Sequence, residues 1–541
     1  MKKAKTDDEI FIEEIIHSVK QKDLIKVKVL LRETSSVSQA TTKRLLFEIA
    51  RSDDSFAIPL LVHIMAYHLE LVAVNPGIQS VLEDKVTDCE DLTKIFAILS
   101  DLNERCFFIE NLAGYSSENV VKFLVSAVTK ETDIRLIASI LKAMSDLKNK
   151  KFAPYISDFL YSNDSSLVQL AVNALGSCAT DLAIDVLVSR TGADASLDRL
   201  IVSTICKIRS EKSMNALVGF LISDNATARN AARTALASLK TEAVPYLVKS
   251  LENTNKNKII ITLNVLGETG VEEAVKPVRT YIETMPEDAN IRFAAYEALG
   301  FLPGKTGAYT LTQGLLDVDE GVRVAAAKAI NQQYDQLFER GISNLFKVET
   351  NRPLITDAIL TAECNKIVSS MVHLNEFNEC AIDILKQCKD KETIEFYTKL
   401  AKNINLSCDI GVGKKTAAAS AKTQVCVVDD SRLLLKIYKK ILTELDVEFH
   451  LFEFAEAALD YISSNKPSLI LTDLNMPGMD GIEFTEKVRK KYSKDEIPIV
   501  MVTTQDEEAD RSAALKAGVN DYLHKPFDKE GIKRVLKRFE V

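Results

Sequence analysis

Five residues toward the end of this 541-residue chain have the types and spacing to do chemistry: Asp429, Asp430, Asp473, Thr503 and Lys525. Three carboxylates gathered in one place repel one another unless a cation neutralises them. All-oxygen ligation with open water positions suits Mg²⁺, or Mn²⁺. One carboxylate can then act as a nucleophile toward phosphorus, because the ion offsets charge on the acid and on the incoming phosphoryl group. Lys525 can pair with an oxygen of the resulting acyl phosphate, and the Thr503 hydroxyl can donate to another. The apolar run LILT, which leads straight into Asp473, then makes sense as a buried strand that delivers a charge in order for it to be phosphorylated.

The elements that must position these residues can be read from hydrophobic patterning. Short apolar runs TQVCVV (423–428), EFHLFEF (448–454), SLILT (468–472), IPIVMVT (497–503) and NDYL (520–523) alternate with amphipathic stretches of helix length. Five strands separated by helices over about 120 residues predict a doubly wound parallel sheet covered on both faces, with its ligand crevice beyond the C-terminal strand ends. The first run ends at Asp429–Asp430, the third at Asp473 and the fourth at Thr503, and the fifth is followed by His524–Lys525–Pro526. Parallel strands align their C-terminal ends, so these groups converge on one edge.

The segments VVDDS, LTDLNMPGMDG, VTT and HKPF occur in this order, with Asp473 30 residues before Thr503 and 52 before Lys525. In this the region about 423–541 resembles the receiver domains of two-component response regulators. The resemblance implies a flavodoxin-like (βα)5 fold with a five-stranded parallel sheet. It implies Asp473 as phosphoacceptor, and a Mg²⁺ site formed by Asp429, Asp430, Asp473 and the backbone carbonyl of Asn475. Thr503 and Lys525 would contact phosphate, and Tyr522 would be the switch aromatic. Asn475 and Gln505 fall at the positions that tune acyl-phosphate hydrolysis. Thr504 stands where the family usually has Ala or Gly, which puts switching kinetics in question.

From about residue 10 to 400 the pattern is helical, with apolar residues at three- and four-residue spacing. Aligning 167–177, 226–238, 290–301 and 321–331, with two fainter copies, places Leu175, Ile205, Leu236, Leu266, Leu299 and Ile330 at one equivalent position, at steps of 30 to 33 residues. Small residues recur beside the marker (Ala171/Ala174, Ala232/Ala235, Ala295/Ala298, Ala326/Ala329), giving a narrow face that lets a neighbouring helix approach. Asp164, Asp224, Asp288 and Asp319 recur near the helix start, where they can cap free N–H groups. Arg229, Arg292 and Arg323 recur seven residues before the marker, and either line a groove for an acidic partner or form an Asp–Arg ladder between repeats. A unit of about 31 residues cannot bury its apolar face alone, so copies stack into a superhelical solenoid. This resembles HEAT repeats of the short type also found in bilin lyase-like proteins. The expected organisation is an N-terminal helical region of degenerate HEAT repeats or caps (1–110), an all-α HEAT-like solenoid (111–402), a flexible linker (403–422) and the receiver (423–541).

Composition narrows the function classes. Net charge is −9, and acids outnumber bases both before and after residue 422, which argues against a nucleic-acid partner despite Lys533, Arg534, Lys537 and Arg538 on the last helix. Nine scattered cysteines without a C-x-x-C pair point to reduced thiols and a cytoplasmic setting. No run of 18 apolar residues suggests a membrane span. GVGKKT in the linker departs from a phosphate-binding loop at Cys408 and Lys415. His17 lies in a helical segment and reads as a surface residue. The expected function is a phosphorelay response regulator, phosphorylated on Asp473 by a histidine kinase or phosphotransfer protein. Phosphorylation would control how the repeat scaffold binds an unknown downstream protein, and the receiver's only catalysis would be its own phosphotransfer and dephosphorylation. The competing expectation is a bilin lyase-like enzyme activity in the solenoid, regulated by the receiver.

Overall fold

The structure is a computed structural model. It describes residues 7–541 apart from 33–38, 116, 193, 224, 304–306, 389–390, 403–423, 477, 504–507 and 526. The expected linker and the positions of Asp224, Thr504, Gln505 and Pro526 therefore lie outside the described residues. The chain forms two compact units, Met1–Ala216 and Leu217–Val541.

In the first unit every regular element among the described residues is a helix. Ile134–Leu147, Ser165–Cys178 and Ala195–Ile208 each begin at an aspartate, Asp133, Asp164 and Asp194, whose side chain accepts from backbone N–H groups of the first turn. The helices end in phase as well. Lys148, Ala179 and Arg209 have φ of 52°, 51° and 58°, a left-handed turn that frees the last carbonyls for capping and stops the helix. Close packing is visible at Gly176, where a Cβ would lie 2.2 Å from Thr204 Cγ2. His17 is exposed.

The second unit carries repeat helices of its own. The helices that bear on the site are α1 (Ala226–Leu239), α2 (Lys256–Thr269), α3 (Ala289–Phe301), α4 (Glu320–Gln333) and α5 (Arg352–Thr361). The marker residues Leu175 and Ile205 of the first unit and Leu236, Leu266, Leu299 and Ile330 of the second are each at most 2% exposed, so in each unit the repeating position lies in the core. Each such side chain contributes about 1.5–3 kcal/mol by leaving water. Asp288 and Asp319 cap α3 and α4. Asn225 caps α1 and Asn255 caps α2, because Asn supplies the same acceptor oxygen as Asp. A Cβ on Gly267 would lie 2.8 Å from Ala298 Cα, which is the close helix approach that the small-residue face predicts. Arg292 binds Asp317 at 2.8 Å, joining one repeat to the next. Arg229 and Arg323 instead hold carbonyls of the loops preceding their own helices, Ser223 O and Asp317 O.

The unit's C-terminal part runs β1 (Gln424–Val428), α6 (Arg432–Glu444), β2 (Glu448–Phe452), α7 (Ala455–Ser464), β3 (Leu469–Asp473), α8 (Gly481–Arg489), β4 (Ile499–Thr503), α9 (Glu508–Ala517), β5 (Asp521–His524) and α10 (Lys529–Arg538). The five strands are all parallel, in the order β2-β1-β3-β4-β5. Alternation sorts their side chains. Val425, Val427, Leu469, Leu471, Val500 and Val502 pack with α6 and α10, while Cys426, Val428, Ile470 and Ile499 pack with α7 and α8. Both faces are thus covered by helices, as near-continuous apolar strands require.

Candidate functional site

The sheet topology delivers the acids. β1 and β3 are neighbours, so the residues that follow β1 and the last residue of β3 meet at the same edge. The backbone N–H of Asp429 still donates to Phe452 O (3.1 Å), extending the β1–β2 pairing by one step. Asp429 Oδ1 accepts from Ser431 N (3.0 Å). Ser431 in turn caps α6 by accepting from Leu434 N. Asp473 Oδ1 accepts from Leu474 N at 2.8 Å. Carboxylate oxygens of Asp429, Asp430 and Asp473 all lie within 4.8 Å of one another. Lys525 arrives from beyond β5, with its N–H on Thr503 O (2.9 Å). Its Nζ lies 2.8 Å from Asp429 Oδ2 and 3.2 Å from Asp473 Oδ2.

The turn after β3 is shaped by glycine. Gly481 opens α8 and donates its N–H to Leu474 O at 2.9 Å. A Cβ there would lie 2.2 Å from Asp473 O. Only glycine therefore lets the helix start press against the backbone that carries Asp473. Asp480 caps α8 by accepting from Glu483 N.

Electrostatically the cup holds more acid than base. Burial, opposed by Lys525 and reinforced by Asp473, pushes Asp429 up to about 7. Burial and the charge of Asp473, opposed by Arg233, push Asp430 up to about 6. Burial alone would lower Lys525, but Asp429 and Asp473 outweigh it and hold the ammonium charged. One ammonium cannot satisfy three carboxylates, and this excess of converging hard oxygen donors fits a divalent cation.

Of the other expected residues, Asn475 lines the same cavity as the acids and Lys525, a space of about 660 Å³. Thr503 is buried at the end of β4, one residue beyond the Asp473–Val502 pairing. Tyr522 is half-buried and packs on the cluster of Leu474, Met501, Ala514 and Val519. Gln505 lies outside the described residues.

Sequence reasoning missed the residues that the repeat helices bring to this edge. Arg233 on α1 lies with Nη1 3.8 Å from Asp430 Oδ2, and its Nε donates to Glu268 at 2.8 Å. Ser431 Oγ donates to Glu297 on α3 at 3.4 Å, and burial pushes the Glu297 carboxyl up. Asn230 and Asn290 donate to Met476 O and Lys525 O. A signal for Arg233 was present in the repeat alignment. Three residues before the marker, the other five copies carry Val172, Val202, Leu263, Tyr296 and Ala327, so a charge at that position is an exception.

Comparison with known proteins agrees with the geometry. The profile of the response regulator receiver domain matches residues 425–537, and that of HEAT repeats matches 245–331. A chemotaxis protein CheY homolog of Campylobacter jejuni is 40% identical over 116 residues, covering 21% of this chain and 89% of its own length. The chemotaxis response regulator CheY4 of Vibrio cholerae, of known structure, is 28% identical, with 22% of this chain and 99% of that one covered and a TM-score of 0.21. A probable two-component system response regulator/GGDEF domain protein is 29% identical over 22% of this chain, with a TM-score of 0.21, and the chain spans 49% of its length.

Proposed function

Because this chain belongs, through residues 425–537, to the response regulator receiver family, and so implies a phosphodonor such as a histidine kinase or phosphotransfer protein, we propose that Asp473 is its phosphoacceptor and that phosphorylation governs what the HEAT repeats bind. The observation that carries this reading is the convergence of Asp429, Asp430 and Asp473 within 4.8 Å, with Lys525 bridging two of them. Asp473 Oδ2 attacks the phosphorus of the donor, the bond from phosphorus to the donor's nitrogen or oxygen breaks, and the leaving group keeps that electron pair. Asp429, Asp430, Asp473 and the Asn475 carbonyl would hold Mg²⁺, or Mn²⁺, which offsets charge on the acid and on the incoming group. Lys525 neutralises a phosphoryl oxygen, and Thr503 donates a hydrogen bond to another. Tyr522 then repacks as Thr503 moves, and Asn475 and Gln505 set the lifetime of the acyl phosphate.

On this reading residues 1–110 and 111–402 form the scaffold, 403–422 the linker and 423–541 the receiver, all acting in the cytoplasm without nucleic acid or membrane. No helix among the described residues is long and apolar enough to cross a membrane. Replacing Asp473 by Asn should abolish labelling of the full chain by acetyl phosphate with Mg²⁺. Undiminished labelling would reject Asp473 as the acceptor.

A further inference from the structure

The surface of the receiver that carries its chemistry is also the surface the repeat helices touch. Asn230 meets the loop after β3 at Met476 O (3.4 Å), and Asn290 meets the residue after β5 at Lys525 O. Glu297 and Arg233 meet the loop after β1 at Ser431 and Asp430. Beside the cup, α6 is pinned by ion pairs, Lys436 to Glu363 at 2.6 Å and Lys440 to Glu320 at 2.6 Å and to Asp357 at 3.1 Å. All three acid- and lysine-bearing loops are engaged from one side by one helical array.

Within that contact Arg233 is the group whose charge opposes the acids. It is aimed by Glu268, whose carboxylate takes both Nε and Nη2. That grip leaves Nη1 facing Asp430. The side chain is 27% exposed and that of Asp430 21%, so bulk water screens the pair only partly. A guanidinium needs no metal to be charged and cannot leave except by movement of its helix or side chain.

We propose that Arg233 is a resident counterion of the acid cup, supplied by the repeat array, and that it competes with the divalent cation for Asp430. The inference rests on the reading of the cup as a metal site. It assigns to the solenoid a second role beyond partner binding: setting how much Mg²⁺ the receiver needs before it can be phosphorylated. Binding of the cation must turn Arg233 toward Glu268 or loosen α1 from the loop after β1, so metal affinity and docking of the receiver oppose one another.

The test is calorimetric titration of the full chain with MgCl2. R233M removes the charge while keeping an unbranched side chain, and should tighten Mg²⁺ binding about tenfold. R233K keeps a charge and should stay within about twofold of the unaltered chain. E268Q releases Arg233 to face Asp430 alone and should weaken binding by about threefold or more. The opposite signs of R233M and E268Q separate a counterion from general damage, which would weaken binding in both, and R233Q, which also removes the charge and should tighten binding in the same way, takes the place of R233M if that variant does not fold. Equal affinity in all four proteins, or weaker binding in R233M, overturns the counterion while leaving the metal site intact. Absence of binding heat in the unaltered chain removes the metal site itself, and the proposal with it.

Discussion

Gly481→Ala tests how tightly the fold holds Asp473. The added Cβ would sit 2.2 Å from Asp473 O and 3.1 Å from Asp473 C and Leu474 Cα. All three are backbone atoms, so no side chain can swing away. Restoring ordinary contact requires the start of α8 and the end of β3 to part by about 1 Å. Overpacking of this kind costs about 1–3 kcal/mol, which lowers the receiver's thermal midpoint by about 4–12 °C. Parting also strains the Gly481 N–H bond to Leu474 O (2.9 Å) and the Lys525–Asp473 contact (3.2 Å). A reacting carboxylate displaced by about 1 Å loses on the order of 100-fold in rate. The assay is the initial rate of labelling by acetyl phosphate with saturating MgCl2, alongside scanning calorimetry. Gly219→Ala is the control: nothing lies within 4 Å of a Cβ there, and in a helix the change should stabilise by about 0.5–1 kcal/mol. A Gly481→Ala protein that labels at the normal rate with an unchanged midpoint would show that the turn does not set the position of Asp473.

Two further outcomes are expected. Asp429 and Asp430 are raised to about 7 and about 6 from an ordinary 3.8, so without cation the folded receiver retains protons that the unfolded chain has lost. Their contribution to stability is fully present below about pH 4 and is lost progressively as pH rises through about 6 to 7. The thermal midpoint in EDTA should therefore fall between about pH 5 and about pH 8, and saturating MgCl2 should flatten the slope; a midpoint in EDTA that rises with pH contradicts the excess of acid in the cup. Lys440→Glu places an acid against Glu320 and Asp357, removing ion pairs of 2.6 and 3.1 Å. It should weaken the seat of α6 by about 1 kcal/mol, read as faster hydrogen exchange in both Arg432–Glu444 and Arg352–Thr361, and exchange unchanged in both would show that these pairs do not hold the receiver.

Much of this was legible in the sequence because it depends on local periodicity. Alternating apolar runs ending in acids gave parallel strands, and parallel strands admit only one common edge for their C-terminal ends. The 30–33-residue step marked Leu175 through Ile330 as buried positions, and Asp164, Asp288 and Asp319 as helix starts. Of the recurrent arginines, Arg292 forms the expected Asp–Arg link between repeats through Asp317, whereas Arg229 and Arg323 take a role outside both expectations and close their own loops on backbone carbonyls. Asn225 and Asn255 cap their helices without carrying the recurring charge, since capping needs only an acceptor oxygen.

What the sequence by itself determined is which residues can gather into an acid cup and that a repeating helical array accompanies it, since both follow from spacing along one chain. Only the tertiary structure decided that the array meets the receiver on that cup, and that Arg233 and Glu297, some 200 and 130 residues before the acids they approach, belong to its surroundings. The physical reason is that docking depends on the match of shape and charge between surfaces far apart in the chain, and no periodicity encodes which face of one meets which face of the other.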